Sequence, residues 1–107
     1  MDTFYALADP TRRQIVETLA GGESSFGELA DRFAMSRPAV SQHLKVLREA
    51  GIVVARADAQ RRIYRLEDGG LAEVDAWLGR LRRYWNTSLD NLAIELAGTT
   101  DEEKHDE

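Results

Sequence analysis

Ser36-Arg37-Pro38-Ala39-Val40-Ser41-Gln42-His43-Leu44-Lys45-Val46-Leu47-Arg48-Glu49-Ala50-Gly51-Ile52 is the stretch on which the fold turns. Ser36 is an N-cap candidate, because its hydroxyl can accept from an N–H that the first helical turn leaves unpaired. Pro38 is tolerated in that turn, where its missing donor would have had no helical partner. Val40, Leu44 and Leu47 recur at helical spacing and mark one apolar stripe. Gly51 is placed to end the helix in a left-handed conformation. The other face carries Arg37, Ser41, Gln42 and Lys45, donors to phosphates and base edges with little bulk. Such a face suits the DNA major groove.

Upstream, Ser25-Phe26-Gly27-Glu28 has the spacing of a capping box, and it opens a short helix with Leu29, Ala30 and Phe33 inward. Ala34, Met35 and Ser36 make the turn between the two helices. Helix, tight turn, helix is the helix-turn-helix arrangement, whose second helix carries base-reading residues near its start. On that logic Arg37, Ser41 and Gln42 read bases or nearby phosphates. Gln42 has the chemistry for a bidentate contact with adenine and Arg37 for one with guanine. Lys45, one turn on, meets phosphate. Ser36 at the helix start and His43 at its edge, touching the backbone, complete the set. Ser41 and His43 are two apart and face different sides of a helix, so they form no catalytic dyad. Further upstream, Thr3 to Ala8 reads as a short helix. Asp9-Pro10 then caps and starts another, which carries Ile15, Val16 and Leu19 and stops at Gly21-Gly22.

Downstream, Ile52-Val53-Val54-Ala55-Arg56 and Arg62-Ile63-Tyr64-Arg65-Leu66 are rich in strand formers and flank a polar stretch, the pattern of a β-hairpin. Its tip lacks glycine, so its turn type stays open. Arg61 and Arg62 at the tip, and Arg56 nearer the base, are candidate wing contacts along phosphates or in the minor groove. After Asp68-Gly69-Gly70 comes the longest regular element. Leu71, Val74, Leu78, Leu81, Trp85, Leu89, Leu92 and Leu96 step by three and four, with Trp77 and Tyr84 widening the stripe. Gly98 is expected to end this helix. The predicted fold class is mainly α with a two-stranded β-wing, a winged helix-turn-helix in the order α-α-α-α-β-β-α. Residues 1–98 form one DNA-binding and dimerisation domain, and 99–107 an acidic disordered tail.

Composition fits this plan. At 107 residues one core is expected, and 43% hydrophobic with 31% charged residues is ordinary for a soluble globular chain. No apolar run approaches a membrane span, and the N-terminus has no signal-peptide pattern, so a cytoplasmic location with no membrane partner is the expectation. Cysteine is absent, which removes disulfides and thiolate metal sites. Net charge is −5, yet between Arg32 and Arg65 eight basic residues face only Glu49 and Asp58, a surplus of six. Acidic character returns in the tail. Charge divided in this way marks a DNA-facing surface on an otherwise acidic protein. The aromatic stripe of the last helix exceeds what a small core absorbs. Reading an operator with two recognition helices needs two-fold symmetry, so self-pairing is expected.

Asp9-Pro10-Thr11-Arg12-Arg13-Gln14-Ile15, the Ser36–Ile52 stretch and Arg61-Arg62-Ile63-Tyr64-Arg65-Leu66 resemble the ArsR-type winged-helix transcriptional regulators, over residues 3 to about 97. The resemblance implies a prokaryotic homodimeric repressor that binds double-stranded DNA at a palindromic operator, with autoregulation included. It implies base reading by Ser41 and Gln42 with help from Arg37, wing contact by Arg61, and dimerisation through the first and last helices. Phe4, Tyr5, Leu7, Trp77, Leu78, Leu81, Trp85, Leu89 and Leu92 are the interface candidates. The chain departs from the metal-sensing members: it has no cysteine in the helix before the recognition helix, and residues 71–97 have no histidine. It resembles the metal-independent branch, with no cofactor, no metal site, no catalytic residue and an unknown effector. Two other readings stay open. One is a winged-helix module that binds protein through the aromatic stripe. The other is a sensor of a metal or small molecule with a site the sequence does not reveal.

Overall fold

Leu47 and Ile52 show how the central helix is made to stop. In the computed structural model, which describes residues 2–106 and side chains over 2–97, the Ile52 N–H donates to the Leu47 carbonyl at 3.0 Å and the Gly51 N–H to the Arg48 carbonyl at 3.0 Å. That pair of bonds is a Schellman motif, and it needs the left-handed φ of +77° that Gly51 adopts. Leu47 and Ile52 are both buried, so the motif closes on an apolar contact within the core. Gly70 packs on the same corner: a Cβ there would lie 2.7 Å from the Gly51 carbonyl oxygen and 3.1 Å from Ile52 Cα.

The elements are α1 (Thr3–Leu7), α2 (Pro10–Ala20), β1 (Ser24–Ser25), α3 (Phe26–Arg32), α4 (Arg37–Glu49), β2 (Val53–Asp58), β3 (Arg61–Leu66) and α5 (Ala72–Asp106). The mainly helical winged architecture is as expected, with one strand more. β1 pairs antiparallel with β3, placing Ser24 opposite Tyr64 and Ser25 opposite Ile63, so the sheet has three strands in the order β1-β3-β2. The hairpin turns over Ala59 and Gln60 between the paired Asp58 and Arg61. Ala59 takes φ +56°, the sign a type II′ turn wants at its first loop position.

Residues 1–74 form one unit. Its core gathers Ile15 and Leu19 of α2, Leu29 of α3, Val40, Leu44 and Leu47 of α4, and Ile52, Val53 and Tyr64 of the wing, with Ala6 from α1. Each helix start is fixed by the cap its sequence carries. Asp9 accepts from the Arg12 N–H at 3.0 Å, and Ser36 from the Ala39 N–H at 3.2 Å. Ser25 and Glu28 complete a capping box. In α1 the inward residues are Thr3 and Ala6, whereas Phe4 and Leu7 are half-buried and Tyr5 is exposed.

Residues 75–107 form a second unit. α5 continues past Gly98, where its end was expected, because a glycine inside a helix weakens it by only ~1 kcal/mol relative to alanine and does not break it. The acidic tail expected over 99–107 falls outside the residues whose side chains are described. Trp77, Tyr84, Trp85, Leu89 and Leu92 are all exposed, while Leu78 and Leu81 are half-buried. Among the described residues, no helix is long and apolar enough to cross a membrane.

Candidate nucleic-acid interface

Burial of Val40, Leu44 and Leu47 fixes the roll of α4, and the roll decides which polar side chains face outward. Arg37, Ser41, Gln42, Lys45 and Arg48 are all exposed. Arg37, Ser41, Lys45 and Arg48 fall on one line of the helix, spaced by four, four and three. Together with the wing tip residues Gln60, Arg61 and Arg62 they line a groove of about 960 Å³. Tyr64 and, at the start of α3, Ser25, Phe26 and Gly27 also line it. Two walls, helix and wing, thus bring five cations to one concave surface.

The expected site residues divide on this geometry. Arg37, Ser41, Lys45, Arg61 and Arg62 come together in the groove. Gln42 is exposed beside it, on the next row of the helix. Ser36 spends its hydroxyl as the N-cap acceptor. Arg37 stands over the Phe26 ring at 5.9 Å and 3.7 Å from Asp31, and Arg61 donates to Asp58 at 3.1 Å. Both pairs are largely solvated and weak enough to yield to a phosphate.

Two candidates sit elsewhere. Arg56 is taken by Glu23, which precedes β1. Its two terminal nitrogens donate to the two carboxylate oxygens at 2.7 and 2.8 Å. That bidentate bond holds the Glu23 carboxyl below its ordinary value and raises the Arg56 guanidinium. Tied in this way, Arg56 braces β2 against the chain leading into β1. His43 turns to the inner side of α4, where its Nδ1 lies 3.4 Å from Arg12 Nη1 and 3.9 Å from Asp9 Oδ2. The sequence marks Asp9-Pro10 as a helix start and gives Arg12 and Arg13 no task. In the fold Arg12 donates to the carbonyls of Ala6 (2.6 Å) and Tyr5 (3.2 Å), and Arg13 to those of Leu7 and Ala8. The two arginines therefore cover carbonyls at the C-terminal end of a five-residue helix, that of Tyr5 being shared with the Ala8 N–H. Arg48, Gln60 and Tyr64 were also missed as groove residues. Arg48, three residues after Lys45, was the one with a periodic signal.

Residues 9–54, from the Asp9 cap to the start of β2, match the model of the bacterial regulatory protein arsR family. Across 84% of this chain and 81% of its own length, an HTH-type transcriptional regulator of Mycobacterium tuberculosis, Rv2034, is 50% identical. The chain belongs to the ArsR family. Another relative, the transcriptional repressor SdpR of Bacillus subtilis, is 34% identical over 72% of this chain and 86% of its own. Among solved structures, the ArsR family transcriptional regulator RHA00566 superposes with a TM-score of 0.68 at 32% identity, covering 78% of this chain and 86% of that one. The transcriptional repressor BigR of Xylella fastidiosa gives a TM-score of 0.59 at 39% identity, covering 68% and 73%. As an ArsR protein the chain is a DNA-binding transcriptional regulator, and its role is binding rather than catalysis.

Proposed function

We propose that this regulator is a homodimeric repressor that occupies a palindromic operator, including one at its own promoter. The observation that carries the reading is the groove in which the α4 line of Arg37, Ser41, Lys45 and Arg48 meets Arg61 and Arg62 of the wing. Helix α4 enters the major groove. Ser41 and Gln42 read base edges with Arg37 beside them, and Lys45 and Arg48 take phosphates. The wing lays Arg61 and Arg62 along the neighbouring backbone. His43 and Arg56 are left out of the proposed contact set, because Nδ1 of His43 lies against Arg12 and the Arg56 guanidinium is paired bidentately with Glu23.

The second copy is proposed from α5, whose Trp77, Trp85, Leu89 and Leu92 are 42–61% exposed within one chain. A row of large apolar side chains along one helix is what an interface between copies supplies. Phe4, Tyr5 and Leu7 of α1, with Leu78 and Leu81 of α5, complete the proposed interface. Light scattering of the full chain tests the dimer: native protein of twice the chain mass, and a shift toward monomer in Leu89→Arg, are expected. A monomeric native protein contradicts it. Gel retardation with the DNA upstream of the gene tests the repressor reading; no retardation at low salt contradicts it.

A further inference from the structure

Arg12 touches two helices at once. From the first turn of α2 its Nε–H donates to the Ala6 carbonyl at 2.6 Å and its Nη2 to the Tyr5 carbonyl at 3.2 Å, with the guanidinium 5.6 Å from the Tyr5 ring centre. Its remaining terminal nitrogen, Nη1, reaches 3.4 Å to Nδ1 of His43, thirty-one residues away on α4. The planar fork of an arginine fixes these directions relative to one another. The short helix α1 and the recognition helix are thus referred to a single rigid group. Asp9 stands near the same ring nitrogen: its carboxylate caps α2 through the Arg12 N–H and lies 3.9 Å from His43 Nδ1, beyond hydrogen-bond reach. His43 is half-buried, with its side chain 22% exposed.

We propose that Arg12 and His43 form an internal latch that sets the placement of the recognition helix relative to α1. Arg12 is a positioning residue for DNA binding, and His43 works through Nδ1 inside the protein. The latch rests on the proposed dimeric reading, in which α1 lies at the interface between copies. Two recognition helices must then sit one DNA turn apart, and a roll or shift of α4 against α1 changes that spacing in both half-sites. In this arrangement the ring accepts from the guanidinium, so Nδ1 carries the lone pair and Nε2 the hydrogen.

Asparagine and glutamine at position 43 separate the two ring nitrogens. Asparagine places an acceptor near the Nδ1 position, and glutamine reaches only toward Nε2. Operator affinity of the full chain is measured by anisotropy, beside affinity for random duplex and thermal unfolding. We expect His43→Asn to stay within about twofold of the native protein. His43→Gln should lose about three- to tenfold on the operator, the worth of one hydrogen bond, and Arg12→Gln at least as much, since it also gives up the bonds to the Ala6 and Tyr5 carbonyls. Adding His43→Leu to Arg12→Gln should cost nothing more, because the latch is already open. Random-duplex affinity should be unchanged throughout. Retention by His43→Gln with loss by His43→Asn overturns the latch in favour of a DNA contact through Nε2, as does strict additivity of the double variant. A DNA-free arm keeps the latch testable even if the operator reading fails. Nitrogen-15 spectra of neutral His43 should report the Nε2–H tautomer, and the Nδ1–H tautomer overturns the proposal.

Discussion

Salt should weaken operator binding steeply, and the structure sets by how much. Five cations line the groove of each chain: Arg37, Lys45, Arg48, Arg61 and Arg62. Arg37 and Arg61 have carboxylate partners, Asp31 at 3.7 Å and Asp58 at 3.1 Å, with more than half of each side chain in solvent. Exposed pairs of that kind contribute about 0–1 kcal/mol and give way to phosphate. The other three stand without such an ion pair among the described residues. Three to five phosphate contacts per chain become about six to ten in a dimer, so log K should fall against log salt with a slope of about −5 to −9. A fourfold rise in salt then costs between about a thousandfold and a hundred-thousandfold in affinity. Fluorescence anisotropy of a labelled operator duplex across about 50–200 mM salt reads this directly. Lys45→Ala removes one contact per chain and should flatten the slope by about 1.8. A native slope shallower than about −2, or one that Lys45→Ala leaves untouched, would refute the groove as the phosphate-binding surface.

Three further outcomes follow from the same geometry. Arg56→Glu should weaken operator binding by opening the brace to Glu23, and the exchange Glu23→Arg/Arg56→Glu should recover most of the loss in anisotropy. An exchanged protein as weak as the single variant would return Arg56 to the DNA. Leu44→Ala empties a site that is 1% exposed in the middle of the core, so urea unfolding should show a loss of about 2–5 kcal/mol; a loss under about 1 kcal/mol would misplace Leu44. Asp9 is held below its ordinary value, chiefly by the hydrogen bond from the Arg12 N–H, then by charge attraction to His43 and Arg12, against the cost of its partial burial. A carboxylate depressed in the fold stabilises it above the unfolded value, and that stability drains away as pH falls through the folded value, here below about pH 4. Between pH 5 and 3 the native protein should therefore lose more stability than Asp9→Asn, which keeps a good cap. Equal losses in urea midpoint would contradict the assignment.

What could be read from the chain was local. Ser25 with Glu28, Asp9 before Pro10, and Ser36 before Pro38 announce helix starts because each cap is completed within three residues. The stripe Val40, Leu44 and Leu47 fixes the inner face of α4, and hence the outer one. β1 gave no such signal. Two serines carry no alternation, and they pair with β3 only because the core brings that strand past them. The partners of Arg56 and His43 lie thirty-three and thirty-one residues away. Composition marks these two side chains as candidate DNA contacts, and only the fold shows that each also has a partner within the chain. The wing tip was opaque for a related reason. Ala59 accepts a left-handed φ that sequence statistics reserve for glycine or asparagine, held there by the strand pairing on either side.

In the proposed complex α4 and the wing read DNA as a matched pair. Selection from a random duplex pool with the full chain, followed by hydroxyl-radical footprinting of the enriched sequence, tests it most directly. A palindrome with two protected half-sites about 10 bp apart centre to centre is expected, and Gln42→Ala should relax the preference at one position of each half-site. A pool that does not enrich, or an enriched site with a single asymmetric footprint, would contradict it.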